Sequence, residues 1–182
     1  KALPERGKIG IFNRSHYEEV LVVRVRGEVL ERQRLPPGKR DQRFWKQRYD
    51  DINRFERHLV RNGTVVLKFF LHISQEEQRR RLLQRLKNPR KQWKFEVGDL
   101  AERARWDDYM EAYEDALSAT STRWAPWHVI PADHKWTARA LVGALLAHAL
   151  SKLALKTPSV AESDLKAFVK ARRQLEREAR ER

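Results

Sequence analysis

The apolar positions of this chain follow two periods. Between Phe44 and Val60 they fall at Trp45, Tyr49, Ile52, Phe55 and Leu59, which is the three- and four-residue spacing of an amphipathic helix. Asn62-Gly63 supplies its stop signal. Ala138, Leu141, Val142, Leu145, Leu146, Ala149 and Leu153 predict a second such helix. Trp106, Tyr109, Tyr113 and Leu117 give one apolar face to a third, with Asp99 and Glu102 as its start. A different pattern covers Thr64–Ile73, nearly continuous β-branched and aromatic sequence, as a strand buried on both faces requires. Ile9–Phe12 and Trp127–Pro131 are shorter apolar runs that predict two more strands. Val20–Val25 is open to strand or helix, because Glu18 and Glu19 precede its β-branched run. Ser74 stands three residues before Glu77, a capping-box pattern that starts a helix ending near Asn88-Pro89. Alternation of strand and helix predicts an α/β fold: a parallel sheet with flanking helices. Ligands in such folds bind at the carboxyl ends of the strands. The segments to inspect are therefore Asn13–Glu19, His72–Glu77 and Pro131–Trp136.

Composition narrows the class. A length of 182 residues allows one domain with a real core. We expect an α/β domain over 1–155 and a basic, partly helical tail over 156–182, where Lys, Arg and Glu dominate. The absence of cysteine excludes disulfides, thiol catalysis and cysteine-ligated zinc. No apolar run approaches the ~18 residues of a membrane-spanning helix. KALPERGKIG has no apolar stretch resembling a signal peptide. A cytoplasmic protein is the expectation. The first residue, Lys1, is not a methionine, which suggests a natural start further upstream. The formal net charge of +14 points to a polyanionic partner.

Three stretches could carry chemistry. Phe12–Glu19 (FNRSHYEE) sets Arg14 beside Glu18 and Glu19 at the end of an expected strand. Arginine can grip phosphate with two parallel hydrogen bonds. Carboxylate and amide oxygens can hold Mg2+ directly or through water. The plain alternative is a polar loop capping a helix. Glu76–Leu100 carries Arg79, Arg80, Arg81, Arg85, Lys87, Arg90, Lys91 and Lys94, then Asp99. Cations on more than one side of a helix cannot be deep core. A lid over about 76–105 that closes on a polyphosphate suits this segment, and so does a solvated charged face. Thr120–Trp136 sets Arg123, Asp133 and Lys135 around a strand, with Trp124, Trp127 and Trp136 as packing residues. The histidines show no zinc-like spacing. No G-x-x-x-x-G-K-[ST] phosphate loop occurs in the sequence.

In order along the chain, IGIFNRSHYEEVLVVRV, FWKQRYDDINRFERHLVRNGTVVLKFFLHISQEEQRRRL, NPRKQWKFEVGDL and RWAPWHVIPADHKWTARALV resemble the polyphosphate kinase 2 family over Arg6–Leu153. The NRSHYE form is most similar to the branch acting on nucleoside mono- and diphosphates. The resemblance implies a P-loop kinase-like fold with a basic helical lid. It also implies Mg2+-dependent transfer of a phosphoryl group from inorganic polyphosphate to AMP, ADP or a guanine counterpart. It places Asn13 and Arg14 at the Walker-B-like position, Glu18 or Glu19 as the metal-directed carboxylate, and Arg85 as a lid arginine. Asp99 becomes the acid following the lid tip, and Arg79, Arg81, Lys91 and Lys94 line the polyphosphate path. A homo-oligomer is expected, with no membrane and no specific nucleic acid as partner. Two departures stand out. Asn13 replaces the aspartate of much of the family, so metal binding must lean on other acids. The family's first strand and phosphate loop precede the Walker-B-like strand, whereas eight residues precede Ile9 here. Those elements are expected to be missing from these 182 residues, leaving the transferase incomplete. The alternative is a non-catalytic polyphosphate- or nucleic-acid-binding protein.

Overall fold

The structure, a computed structural model, describes residues 3–179. From its N-terminus the chain runs through a 3-10 turn, His16–Glu19, into two short helices, α1 (Val22–Val25) and α2 (Gly27–Glu31). The long helix α3 (Gln42–Arg61) follows, then β1 (Lys68–His72) and α4 (Gln75–Lys87). A 3-10 segment, Pro89–Lys94, leads to α5 (Gly98–Ala104), α6 (Trp106–Thr120), β2 (Trp127–Pro131), α7 (Lys135–Lys152) and α8 (Glu162–Glu178). Two compact units divide the chain, one running to Leu145 and one from Leu146. Positions 180–182 of the expected tail lie outside the described residues.

Local chemistry sets most of the boundaries. Asp41 caps α3 by accepting the Arg43 and Phe44 amides. Its far end turns at Gly63, whose φ of 86° is a left-handed conformation open to glycine. The Ser74 hydroxyl accepts the Glu77 amide at 3.1 Å and starts α4. Asn88 ends α4 and accepts the Arg90 amide at 3.0 Å, which opens the 3-10 segment.

β1 and β2 pair in parallel, from Lys68 opposite Trp127 to His72 opposite Pro131. Parallel pairing requires a crossover, here built from α4, α5 and α6. The core of the first unit has two centres. Tyr17, Val20, Leu21, Tyr49, Ile52, Ala112 and Ala116 form one, where the alanines let α6 come close to α3. Ile130, Ala132 and Ala138 form the other, with Phe69, Ile73, Val142 and Leu145 packed against it. In the second unit α8 is amphipathic, with Leu165, Phe168, Val169 and Leu175 at helical spacing.

The structure corrects three expectations. Ile9–Phe12 is not a strand, and Ile9, Ile11 and Phe12 are exposed. A strand exists only when a neighbour takes its amides and carbonyls, and among the described residues no strand pairs with this run. The strand expected over Thr64–Ile73 is limited to Lys68–His72, the length over which β2 offers partners. The single helix expected from Asp99 breaks at Arg105, which leaves helical geometry (φ −96°, ψ 25°) while its guanidinium donates to the Val25 carbonyl at 3.0 Å. Of Val20–Val25, Val22–Val25 is helical and Val20-Leu21 forms the turn before it, with Val20 and Val23 buried.

Candidate active site

The two strands end side by side, and the segments that follow them are stitched together. Asp133, just past β2, accepts the Ser74 amide at 2.7 Å, and this bond holds its carboxyl below its ordinary range. Arg81, on the second turn of α4, donates to the carbonyls of Ala132 at 2.6 Å and Asp133 at 3.2 Å. It also donates to Glu77 at 2.6 Å. Arg80 grips the same carboxylate at 2.5 and 2.6 Å. Its hydrogen bond is the largest influence on Glu77, whose pKa is lowered to about 2.

Beyond this root α4 carries its cations outward. Arg79 is exposed and shares its charge with Glu76, one turn back. Arg85 is half-exposed and lies 3.9 Å from Asp99 on α5, which links the two limbs of the expected lid. Arg103 of α5 returns to α4 through the Gln75 carbonyl at 2.7 Å and the Gln78 side chain at 2.9 Å. The tip, Pro89–Lys94, presents Lys91 and Lys94 to solvent, with the Lys94 ammonium 4.9 Å from the centre of the exposed Trp93 ring. Between α4, α6 and the end of β1 lies a cleft of about 280 Å³, lined by Phe70, His72, Trp106, Tyr109, Met110 and Tyr113.

Asn13 and Arg14 lie exposed ahead of the 3-10 turn. The Ser15 hydroxyl caps that turn by accepting the Tyr17 amide at 3.3 Å. Arg14 reaches Glu18 at 3.3 Å. Glu19 is committed elsewhere: its carboxylate takes Arg48 at 2.5 Å and Gln33 at 2.9 Å. The structure thus brings together Arg14 with Glu18 and Arg85 with Asp99. It gives Glu19 to α3 and Arg81 to the end of β2.

Among the described residues no group of three or more His, Asp or Glu side chains could hold a metal ion. Glu18 is the carboxylate beside Asn13 whose described ion pair is long, at 3.3 Å, and whose side chain is 40% exposed. A lone carboxylate falls short of the oxygen set that an all-protein cation cage needs.

Sequence reasoning passed over a buried polar cluster beneath the turn. The Tyr17 hydroxyl donates to Glu56 at 2.9 Å, and Lys68 donates to Glu56 at 2.7 Å. A signal was present. Glu56 falls on the apolar face of α3, one turn after Ile52, and Lys68 interrupts the apolar run of β1. Burial acts on Glu56 to raise its pKa, but the nearby His16 imidazole and the hydrogen bonds from Lys68 and Tyr17 outweigh it and the net shift is downward. Burial pushes the Lys68 ammonium down against the pull of Glu56, and pushes the Tyr17 phenol up.

A small parallel sheet with helices around it and a cation-rich helical arm beside its carboxyl end places the protein in the α/β class. The model of the family described as polyphosphate kinase 2 matches residues 1–158, and this chain belongs to that family. It is 47% identical over 174 residues to the ADP-polyphosphate phosphotransferase of Rhodopseudomonas palustris, covering 95% of this chain and 60% of that protein. It is 51% identical over 156 residues to the AMP/ADP-polyphosphate phosphotransferase of Meiothermus ruber, covering 86% of this chain and 54% of that one. The crystal structure of polyphosphate kinase 2 from Arthrobacter aurescens TC1 superposes with a TM-score of 0.81 at 45% identity, over 92% of this chain and 56% of that one. The chain therefore spans a little over half the length of these relatives.

Proposed function

We propose that this protein takes part in phosphoryl transfer from inorganic polyphosphate to a nucleoside mono- or diphosphate. The observation that carries the reading is the 47% identity, across 95% of the chain, with a protein named as an ADP-polyphosphate phosphotransferase. The geometry supports it with cations arranged for phosphate rather than for packing. Arg14 and Arg85 are only loosely paired, at 3.3 and 3.9 Å, so each can exchange its carboxylate for a phosphate oxygen. In this reading both are catalytic residues that stabilise charge on the transferred group. Arg79, Lys91 and Lys94 attract and align the polymer. Arg81 sits at the inner end of the same path and fixes the root of the lid through the Ala132 and Asp133 carbonyls.

Asn13 presents an amide oxygen beside Arg14, able to accept from bound water but adding no charge. Glu18, joined by Asp99 if the lid closes, would hold a divalent ion, Mg2+ in this proposal; Glu19 would join only by releasing Arg48. Such an ion neutralises phosphate charge when bound. Closure of the lid, with Arg85 turning to phosphate and Asp99 to the ion, would exclude water from the reacting group.

The test is a donor and acceptor survey on the natural polypeptide with Mg2+. Polyphosphate should phosphorylate AMP or ADP, and nucleoside triphosphates should not replace it as donor. Binding of polyphosphate without any nucleotide phosphorylation would favour a non-catalytic polyanion-binding role instead.

A further inference from the structure

The most deeply buried ionic cluster among the described residues lies at the amino end of the strands, away from their carboxyl ends. Lys68 opens β1 and Glu56 lies in α3, with side chains 6% and 1% exposed. Each proton of the Lys68 ammonium has an acceptor: Glu56 Oε2 at 2.7 Å, the Tyr17 hydroxyl at 2.9 Å and the Thr120 carbonyl at 2.8 Å. The Tyr17 hydroxyl donates onward to Glu56 Oε1 at 2.9 Å. Thr120 is fixed in turn, its hydroxyl accepting from the Trp127 indole at 2.9 Å. Nothing in the cluster is left unpaired.

A buried ion pair is a poor source of stability, because an apolar pair of similar volume commonly does as well. What it supplies is direction. Lys68 and Glu56 belong to a strand and a long helix, and Tyr17 belongs to the 3-10 turn that follows Asn13 and Arg14. The Tyr17 hydroxyl is clamped between both charges. His16, its neighbour, lies 3.7 Å from the same Glu56 oxygen. Two successive side chains of the turn thus meet one fixed carboxylate.

We propose that Glu56 and Lys68 are positioning residues that lock Tyr17 and, through it, hold Asn13–Glu19 in the conformation that presents Arg14 to phosphate. The kinetic consequence rests on the proposed phosphoryl transfer; the conformational one rests on the geometry alone. A free turn would sample other arrangements, and a misplaced cation loses stabilisation of the transition state before it loses ground-state binding.

The test uses two variants of the natural polypeptide. Glu56→Leu with Lys68→Met replaces the ion pair by apolar side chains and leaves no buried charge. Tyr17→Phe removes only the hydroxyl and keeps the ring, which meets Trp127 edge-on at 4.7 Å. Both are read by thermal midpoint, by amide hydrogen exchange at residues 16–21, and by kcat and KM for the acceptor nucleotide. The double variant should keep its midpoint within about 4 °C. Its turn amides should exchange at least tenfold faster, and kcat should fall tenfold or more at unchanged KM. Tyr17→Phe should change exchange and kcat in the same direction.

A double variant with native midpoint, native exchange and native kcat would show that the pair only packs, and would overturn the inference. Should the double variant fail to fold, native exchange at the turn in Tyr17→Phe overturns it equally. If the unsubstituted protein transfers no phosphate, the functional reading falls, and the exchange comparison still decides whether the pair locks the turn.

Discussion

Arg81 and Arg85 stand four residues apart on α4 and have different partners. Arg81 is tied to Glu77 and to two carbonyls past β2, whereas Arg85 is half-exposed with Asp99 at 3.9 Å. Arg85→Ala should therefore lower polyphosphate-dependent turnover tenfold or more, about 1.4 kcal/mol of barrier, while the thermal midpoint barely moves. Arg81→Ala should do the reverse first: Glu77 keeps Arg80, but the Ala132 and Asp133 carbonyls lose their charged donor, which should lower unfolding free energy by about 1.5–3 kcal/mol in a urea titration. A stable Arg81→Ala protein would mean that these bonds are not holding the lid root. The sequence shows the two arginines as equals on one basic helix, because the carbonyls that separate them arrive from Ala132 and Asp133, some fifty residues away. The Glu56–Lys68 pair was legible in principle, as a charge on each of two apolar patterns. Its partner Tyr17 was not, since nothing local brings residue 17 to residue 56.

At the scale of elements, segments with their own punctuation were readable. α3 has its apolar spacing and Asn62-Gly63, and α4 has Ser74 and Asn88-Pro89. β2 stands out as a short apolar run closed by proline. Ile9–Phe12 has the composition of a strand, but pairing is a property of two segments and cannot be read from one. The break at Arg105 depends on the distant Val25 carbonyl. The lid tip leads to a prediction of its own. Lys91 and Lys94 stand on an exposed 3-10 segment, so a polymer lying along the arm would contact several solvated cations. Such contacts are screened over a Debye length of about 8 Å in physiological salt. Polyphosphate affinity should fall steeply between low and moderate ionic strength, and nucleotide affinity should fall less. Titrations at several salt concentrations check this; equal slopes would contradict a multi-cation path.

For the whole molecule the surplus of +14 sets the acid limit. Glu77 is held at about 2, chiefly by Arg80, against an ordinary 4.5, and Glu56 and Asp133 are also held low. A carboxyl whose folded pKa is depressed stabilises the fold fully above its unfolded value and loses that contribution as pH falls through the folded one. The thermal midpoint should thus be level above about pH 5 and fall between about 4.5 and 2, where repulsion among the cations grows. Glu77→Gln should flatten part of that fall, and an unchanged profile would remove Glu77 from the account. The alternation of strand and helix made the fold class legible at this scale, and the resemblance of four ordered segments did the same for the family. The central claim is that Arg14 and the Arg85-bearing lid act on a phosphoryl group passing from polyphosphate to nucleotide. The most direct measurement follows label from terminally 32P-labelled polyphosphate into AMP or ADP, using the natural polypeptide and its Arg14→Ala and Arg85→Ala variants. The account predicts label in the nucleotide, reduced tenfold or more by either substitution. Bound polymer with no label transferred, or full transfer with both arginines replaced, would contradict it.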